Sequence, residues 1–172
     1  MNTNYLQCPT ECIDPPRIDV FTAASCNSNN FYKTGAYGVY VHVFDENEVL
    51  QSMRTLSESA SQTTNMRMEM TAVCEALESI PEATFAAINI YVNASAIADG
   101  MNSWLKRWKQ SGWTTEDGEL VVNRDLWMRM EKATVNRLVY FNTVKDNPST
   151  TLTSKKAGAL AKRTRCNSER SL

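Results

Sequence analysis

The chain has a single histidine, His42, among 172 residues, and its net charge is only −1. One histidine cannot build a histidine-rich metal cluster. A near-neutral chain is not, as a whole, a polycation for wrapping nucleic acid, although local patches can be. Long hydrophobic runs are missing as well. No apolar stretch approaches membrane-spanning length, and Met1 to Pro16 lacks the apolar core of a secretory signal. These absences predict an intracellular protein with no membrane partner. Internal repeats and linkers are also lacking.

Hydrophobic residues make up 42% of the chain and charged residues 22%, which is ordinary for a globular protein. The length suits one domain with a sizeable core. The five cysteines, Cys8, Cys12, Cys26, Cys74 and Cys166, are odd in number and scattered. That suits a reduced compartment better than a disulfide framework. Cys8 and Cys12 could be half of a zinc site, but no second cysteine pair or histidine cluster completes it. His42 sits inside an apolar strand.

Residues 1–16, with Pro9, Pro15 and Pro16, read as an irregular lead-in. Ile18 to Ala24 is a β-branched and aromatic strand, the expected centre of the sheet. Asn27 to Gly35 is a polar loop. Ala36 to Phe44 and Val49 to Leu56 follow as an antiparallel meander, and Ser57 to Thr64 as a polar connection. Met66, Met70, Val73, Leu77 and Ile80 form one apolar stripe, so Asn65 to Ile80 is a helix stopped by Pro81. Phe85 to Val92 reads as a strand buried on both faces. Ser95 to Ser111 is helical, with Gly100 as a possible break, and Asp125 to Ala133 is a further helix. Val135 to Val144 is the fifth strand and Ser154 to Arg165 the last helix. This order, βββαβααβα, is a mixed-sheet α/β domain.

Several stretches carry a resemblance. Trp104-Leu105-Lys106-Arg107-Trp108-Lys109, Gly112-Trp113 and Asn123-Arg124-Asp125-Leu126-Trp127 resemble the handle region of bacterial and cellular ribonuclease H. Phe21-Thr22-Ala23-Ala24-Ser25-Cys26 resembles the end of that family's first strand. Thr64 to Met70 resembles the start of its first helix, and Ala157 to Ala161 its last helix. The resemblance covers residues 17–166, leaving 167–172 as a tail. It implies the ribonuclease H-like fold, a five-stranded mixed sheet with helices on both faces. The implied activity is hydrolysis of the RNA strand of an RNA/DNA hybrid by two magnesium ions.

That family holds its metals with three Asp and one Glu, assisted by a loop histidine. The corresponding positions here are Ala23, Glu69, Asn93 and Gly158, with Asn147 near the histidine position. Three of the four carboxylates are replaced. Asp19, four residues before Ala23, lies roughly 13 Å away along the strand. It is a poor substitute, and so is Asp99. The expectation is therefore a chain without a magnesium cofactor and without catalysis, a pseudoenzyme. Glu69 is then read chiefly as a favourable charge on the first turns of its helix.

Two functions fit that expectation. One is binding of RNA/DNA hybrid or double-stranded RNA through Asn29, Asn65, Lys106, Arg107, Lys109 and the basic last helix with Lys155, Lys156, Lys162 and Arg163. The other is a structural scaffold for a protein partner within a larger assembly, favoured by the near-neutral charge and the weakened basic handle. Residual metal-dependent hybrid cleavage ranks behind both. Trp104, Trp108 and Trp113 are read as packing the handle helix on its neighbours, with a groove wall as the alternative.

Overall fold

The structure, a computed structural model, describes residues 15–29 and 31–171. Most of the predicted lead-in, with Cys8 and Cys12, lies outside the described residues. Strand β1, Arg17–Cys26, occupies the middle of a five-stranded sheet. Strands β2, Gly35–Phe44, and β3, Leu50–Ala60, extend it antiparallel on one side. Strands β4, Ala87–Val92, and β5, Leu138–Thr143, extend it parallel on the other, giving the order β3-β2-β1-β4-β5. The mixed α/β sheet is the one expected.

Helix α1, Asn65–Glu78, covers one face, backed by α4, Arg124–Thr134. Its stripe of Met70, Val73 and Leu77 is fully buried against Val20, Val39, Val41, Ile88 and Ile90. Helix α5, Thr151–Glu169, crosses the opposite face over β1, β2 and β3. Gly38 on β2 permits this crossing, because a Cβ there would lie 2.3 Å from the Ala157 carbonyl oxygen and 2.8 Å from the Ala161 nitrogen. Among the described residues no helix is long and apolar enough to cross a membrane.

Several boundaries differ from expectation for physical reasons. β3 runs on through Ser57–Ala60, because an edge strand open to water does not require apolar residues. β4 alternates buried and half-buried residues instead of being buried on both faces, since α5 lies over β1–β3 and leaves Asn89 and Tyr91 partly open. β5 starts three residues late. The preceding Arg137 instead donates to the carbonyls of Leu77, Ile80 and Ala133, satisfying the ends of α1 and α4. The helix predicted over Ser95 to Ser111 is broken into α2, Ser95–Asp99, a π-helical turn, Gly100–Trp104, and α3, Leu105–Gln110. The break falls at Gly100 because the Trp127 ring leaves no room for a side chain there. α5 extends through residues 167–169, so the expected tail begins inside a helix. Arg165 pairs with Glu169 at 2.9 Å and Asn27 donates to Glu169 at 3.0 Å, holding that last turn.

Candidate functional site

β1 and β4 pair only as far as Phe21 and Tyr91, whereas β1 and β2 stay paired to Cys26 and Gly35. Past Phe21 the two parallel strands part. Here β1 has an antiparallel neighbour on one side and a parallel one on the other, and Thr22–Cys26 run on past the end of its pairing with β4. Alternation along β1 sends neighbouring side chains to opposite faces. Thr22 therefore turns toward α1 and its Glu69, while Ala23 turns toward α5 and its Gly158.

Four elements meet at this tip. Glu69 accepts a hydrogen bond from the Asn93 backbone amide at 2.6 Å. The Asn93 side chain donates to the Thr22 carbonyl at 2.9 Å, and its own carbonyl accepts from the Ser154 hydroxyl at 3.1 Å. A Cβ placed on Gly158 would meet only the Cβ of Ala23, at 3.9 Å. The Glu69 side chain is buried, and burial raises its pKa above the ordinary carboxylate value. Hydrogen bonds from the Asn93 and Ala94 amides and from the Asn93 and Thr22 side chains oppose that rise. The carboxylate is thus fully engaged within the fold. Its dipole role at the helix start is secondary to this bridge between α1 and the end of β4.

The four positions matched from the sequence, Ala23, Glu69, Asn93 and Gly158, do come together. Asn147 does not join them. Its side chain donates to the Thr143 carbonyl at 2.9 Å within its own turn. Asp19 is held lower on the strand by Asn89 at 3.0 Å and Arg17 at 3.3 Å. Thr22 and Ser154 are participants that the sequence pattern did not single out. Ser154 lies one helical turn before Gly158, so helical phase alone could have placed it at the tip.

The expected binding residues divide. Asn65 is exposed at the first residue of α1, beside the Thr64 cap, whose hydroxyl accepts from the Arg67 amide at 3.2 Å. Asn29 is exposed on the loop that leaves β1. In the handle, Arg107 pairs with Glu116 at 2.5 Å and Lys109 pairs with Glu131, so two of its three cations already have partners. Lys106 has no ionic partner among the described residues. Trp108 packs against Trp104, Trp113 and Trp127 with ring centroids 5.6, 6.5 and 5.1 Å away, which is the packing role expected of these rings. On α5, Lys156 and Arg163 flank Tyr40 around a shallow depression over β2. Lys155 and Lys162 are exposed on a different flank of the helix.

The family model for RNase H matches residues 15–165. The chain belongs to the ribonuclease H family. It is 35% identical over 120 residues to ribonuclease H of Hyphomonas neptunium, covering 70% of this chain and 73% of that protein. Among solved structures it resembles LC9-RNase H1, described as a type 1 RNase H with the type 2 active-site motif. The TM-score is 0.75 at 25% identity, covering 90% of this chain and 74% of that one. A foamy viral protease-reverse transcriptase in complex with RNA/DNA hybrid shares the fold, with a TM-score of 0.74 at 16% identity over 96% of this chain and 22% of that one.

These relatives correct two expectations drawn from the missing carboxylates. Relatives of this similarity over most of the chain are named as ribonucleases, which overturns the expectation of a non-enzyme. The expectation of no magnesium falls with it, because the family's reaction depends on metal. Side chains at four positions are too narrow a basis for either conclusion. Beside the Glu69 carboxylate the site offers the Asn93 amide and the Ser154 hydroxyl. Glu69 is the one carboxylate these four positions offer a cation.

Proposed function

We propose that the chain engages RNA/DNA hybrid at the tip of β1, with Glu69 as the carboxylate through which a ribonuclease reaction there would run. The observation that carries this reading is the convergence of Ala23, Glu69, Asn93 and Gly158 at the tip of β1 in a member of the ribonuclease H family. A magnesium ion bound there would supply electrophilic stabilisation of phosphate charge. The chain's own groups position the duplex. Asn65 and Asn29 present exposed amides on two segments that are hydrogen-bonded to each other beside the tip, suited to sugar and backbone contacts, which is how duplexes containing ribose are largely read. Asn93 and Ser154 tie the end of β4 to α5 beside Thr22, and Lys106 supplies positive charge from the handle. Lys155 and Lys162 on α5 add to the attraction for phosphate, while Arg107 and Lys109 contribute only by giving up Glu116 and Glu131.

The test is a titration of labelled RNA/DNA hybrid, double-stranded RNA and double-stranded DNA at several salt concentrations. Affinity should fall with salt. Combined Lys106→Ala, Arg107→Ala and Lys109→Ala should flatten the slope by about one unit for each phosphate that is no longer neutralised. The same samples with magnesium or manganese report strand cleavage, which Glu69→Ala should remove. Absence of hybrid affinity at low salt would overturn the reading. Cleavage that survives Glu69→Ala would move the chemistry away from the tip of β1.

A further inference from the structure

The loop that leaves β1 carries two adjacent aromatic rings in water. Phe31 is 87% exposed and Tyr32 44% exposed, and the rings meet edge to face with centroids 5.4 Å apart. A lone exposed aromatic needs no explanation. This pair, however, stands on a backbone fixed from both sides. The Asn27 amide donates to the Thr34 carbonyl at 2.8 Å across the base of the loop. The Gln62 amide donates to the Tyr32 carbonyl at 2.8 Å and the Thr63 amide to the Lys33 carbonyl at 3.3 Å. The Gln62 side chain donates to the Phe31 carbonyl at 3.2 Å.

Those bonds tie the loop to the segment that begins α1, the helix of Asn65 and Glu69. The loop itself starts at Asn27, four residues beyond Ala23, roughly 13 Å along the strand. The rings therefore sit at the same end of the sheet as the tip of β1. Around them are Asn27, Ser28, Asn29, Lys33 and Gln62, polar or basic throughout. That setting offers no apolar groove for a hydrophobic side chain of a protein partner. It suits a flat ring carrying polar edges and joined to a phosphate.

We propose that Phe31 and Tyr32 form a stacking platform for an unpaired nucleobase in the single strand that runs off the end of a bound RNA/DNA hybrid. This rests on the hybrid reading above. Bases inside a duplex are stacked on both faces, so only an unpaired base has a face to offer. Stacking on aromatic side chains is tolerant of sequence because every base has such a face. The platform would favour hybrids with single-stranded flanks over blunt ones.

The experiment compares a blunt RNA/DNA hybrid with the same hybrid carrying a short single-stranded extension that contains 2-aminopurine. The wild-type chain should bind the extended form roughly five- to tenfold more tightly and quench the probe. Phe31→Ala should bring the two affinities to parity and abolish quenching, with an unchanged unfolding midpoint because the ring is exposed. Phe31→Leu keeps apolar bulk without the ring and should behave like the alanine variant. Full preference in Phe31→Leu would show a simple apolar contact and overturn the platform. Binding of blunt hybrid with no preference for the extension would overturn the platform and leave the hybrid reading standing. Binding of neither form would overturn both, and so would binding of the extended form alone, since the flank of a bound hybrid presupposes the hybrid.

Discussion

Glu69 bridges α1 to the end of β4, and its environment sets a testable sign. Burial pushes its pKa up, and the folded chain consequently holds the proton more tightly than the unfolded chain. Stability from this group is greatest below the ordinary carboxylate value and is lost as pH rises through the raised one. Asp125 and Glu78 act in the opposite sense. Arg67 and Arg129 hold their carboxyls below the usual range, so their contribution is present above that range and is lost on acidification. Urea unfolding of wild type and Glu69→Gln from about pH 4 to pH 8 separates the two. The difference should move against the wild type as pH rises, and a flat difference would mean that the hydrogen bonds from Asn93, Ala94 and Thr22 fully offset burial. Glu69 was legible in the sequence through its family position. Its engagement was not, because the Asn93 amide and the Thr22 hydroxyl reach it only once α1 and β4 are folded against each other.

Gly38 on β2 lets α5 lie close on the sheet, whereas Gly158 within α5 meets little of it. At Gly38 an added Cβ would collide with the backbone of Ala157 and Ala161, neither of which can swing aside. At Gly158 the nearest atom is 3.9 Å away. Gly38→Ala should therefore destabilise by about 1–3 kcal/mol through forced displacement of the helix. Gly158→Ala should stabilise by up to about 1 kcal/mol, the usual preference of a helix interior for alanine. Thermal or urea unfolding of the two variants checks both signs. The periodicity of α1 was plain in the sequence because its buried stripe repeats at helical spacing. β3 and α5 are longer than their sequence patterns suggest, for a shared reason. Their outer residues are polar at an exposed edge or an exposed helix end, and what fixes them is pairing with β2 or the bonds among Arg165, Glu169 and Asn27.

At the scale of the molecule, the sheet gathers family positions from four elements that lie up to 135 residues apart in the chain, from Ala23 to Gly158. Their order along the chain made the fold legible in the sequence. Their chemistry at single positions misled, because replaced carboxylates suggested a non-enzyme while whole-chain similarity placed the protein among ribonucleases H. The charge pattern follows the same division. Pairing of Arg107 and Lys109 with Glu116 and Glu131 could not be read from the handle segment alone, since Glu131 belongs to a different helix.

Docking of hybrid at the tip of β1 is read out by backbone amide chemical shifts followed by NMR during titration with a short RNA/DNA hybrid. Shifts should concentrate in Ala23–Asn29, Asn65–Glu69 and Asn93–Ser95, with smaller ones at Lys106. Shifts confined to the β3 edge, or to the Lys156 and Arg163 flank of α5, would contradict it.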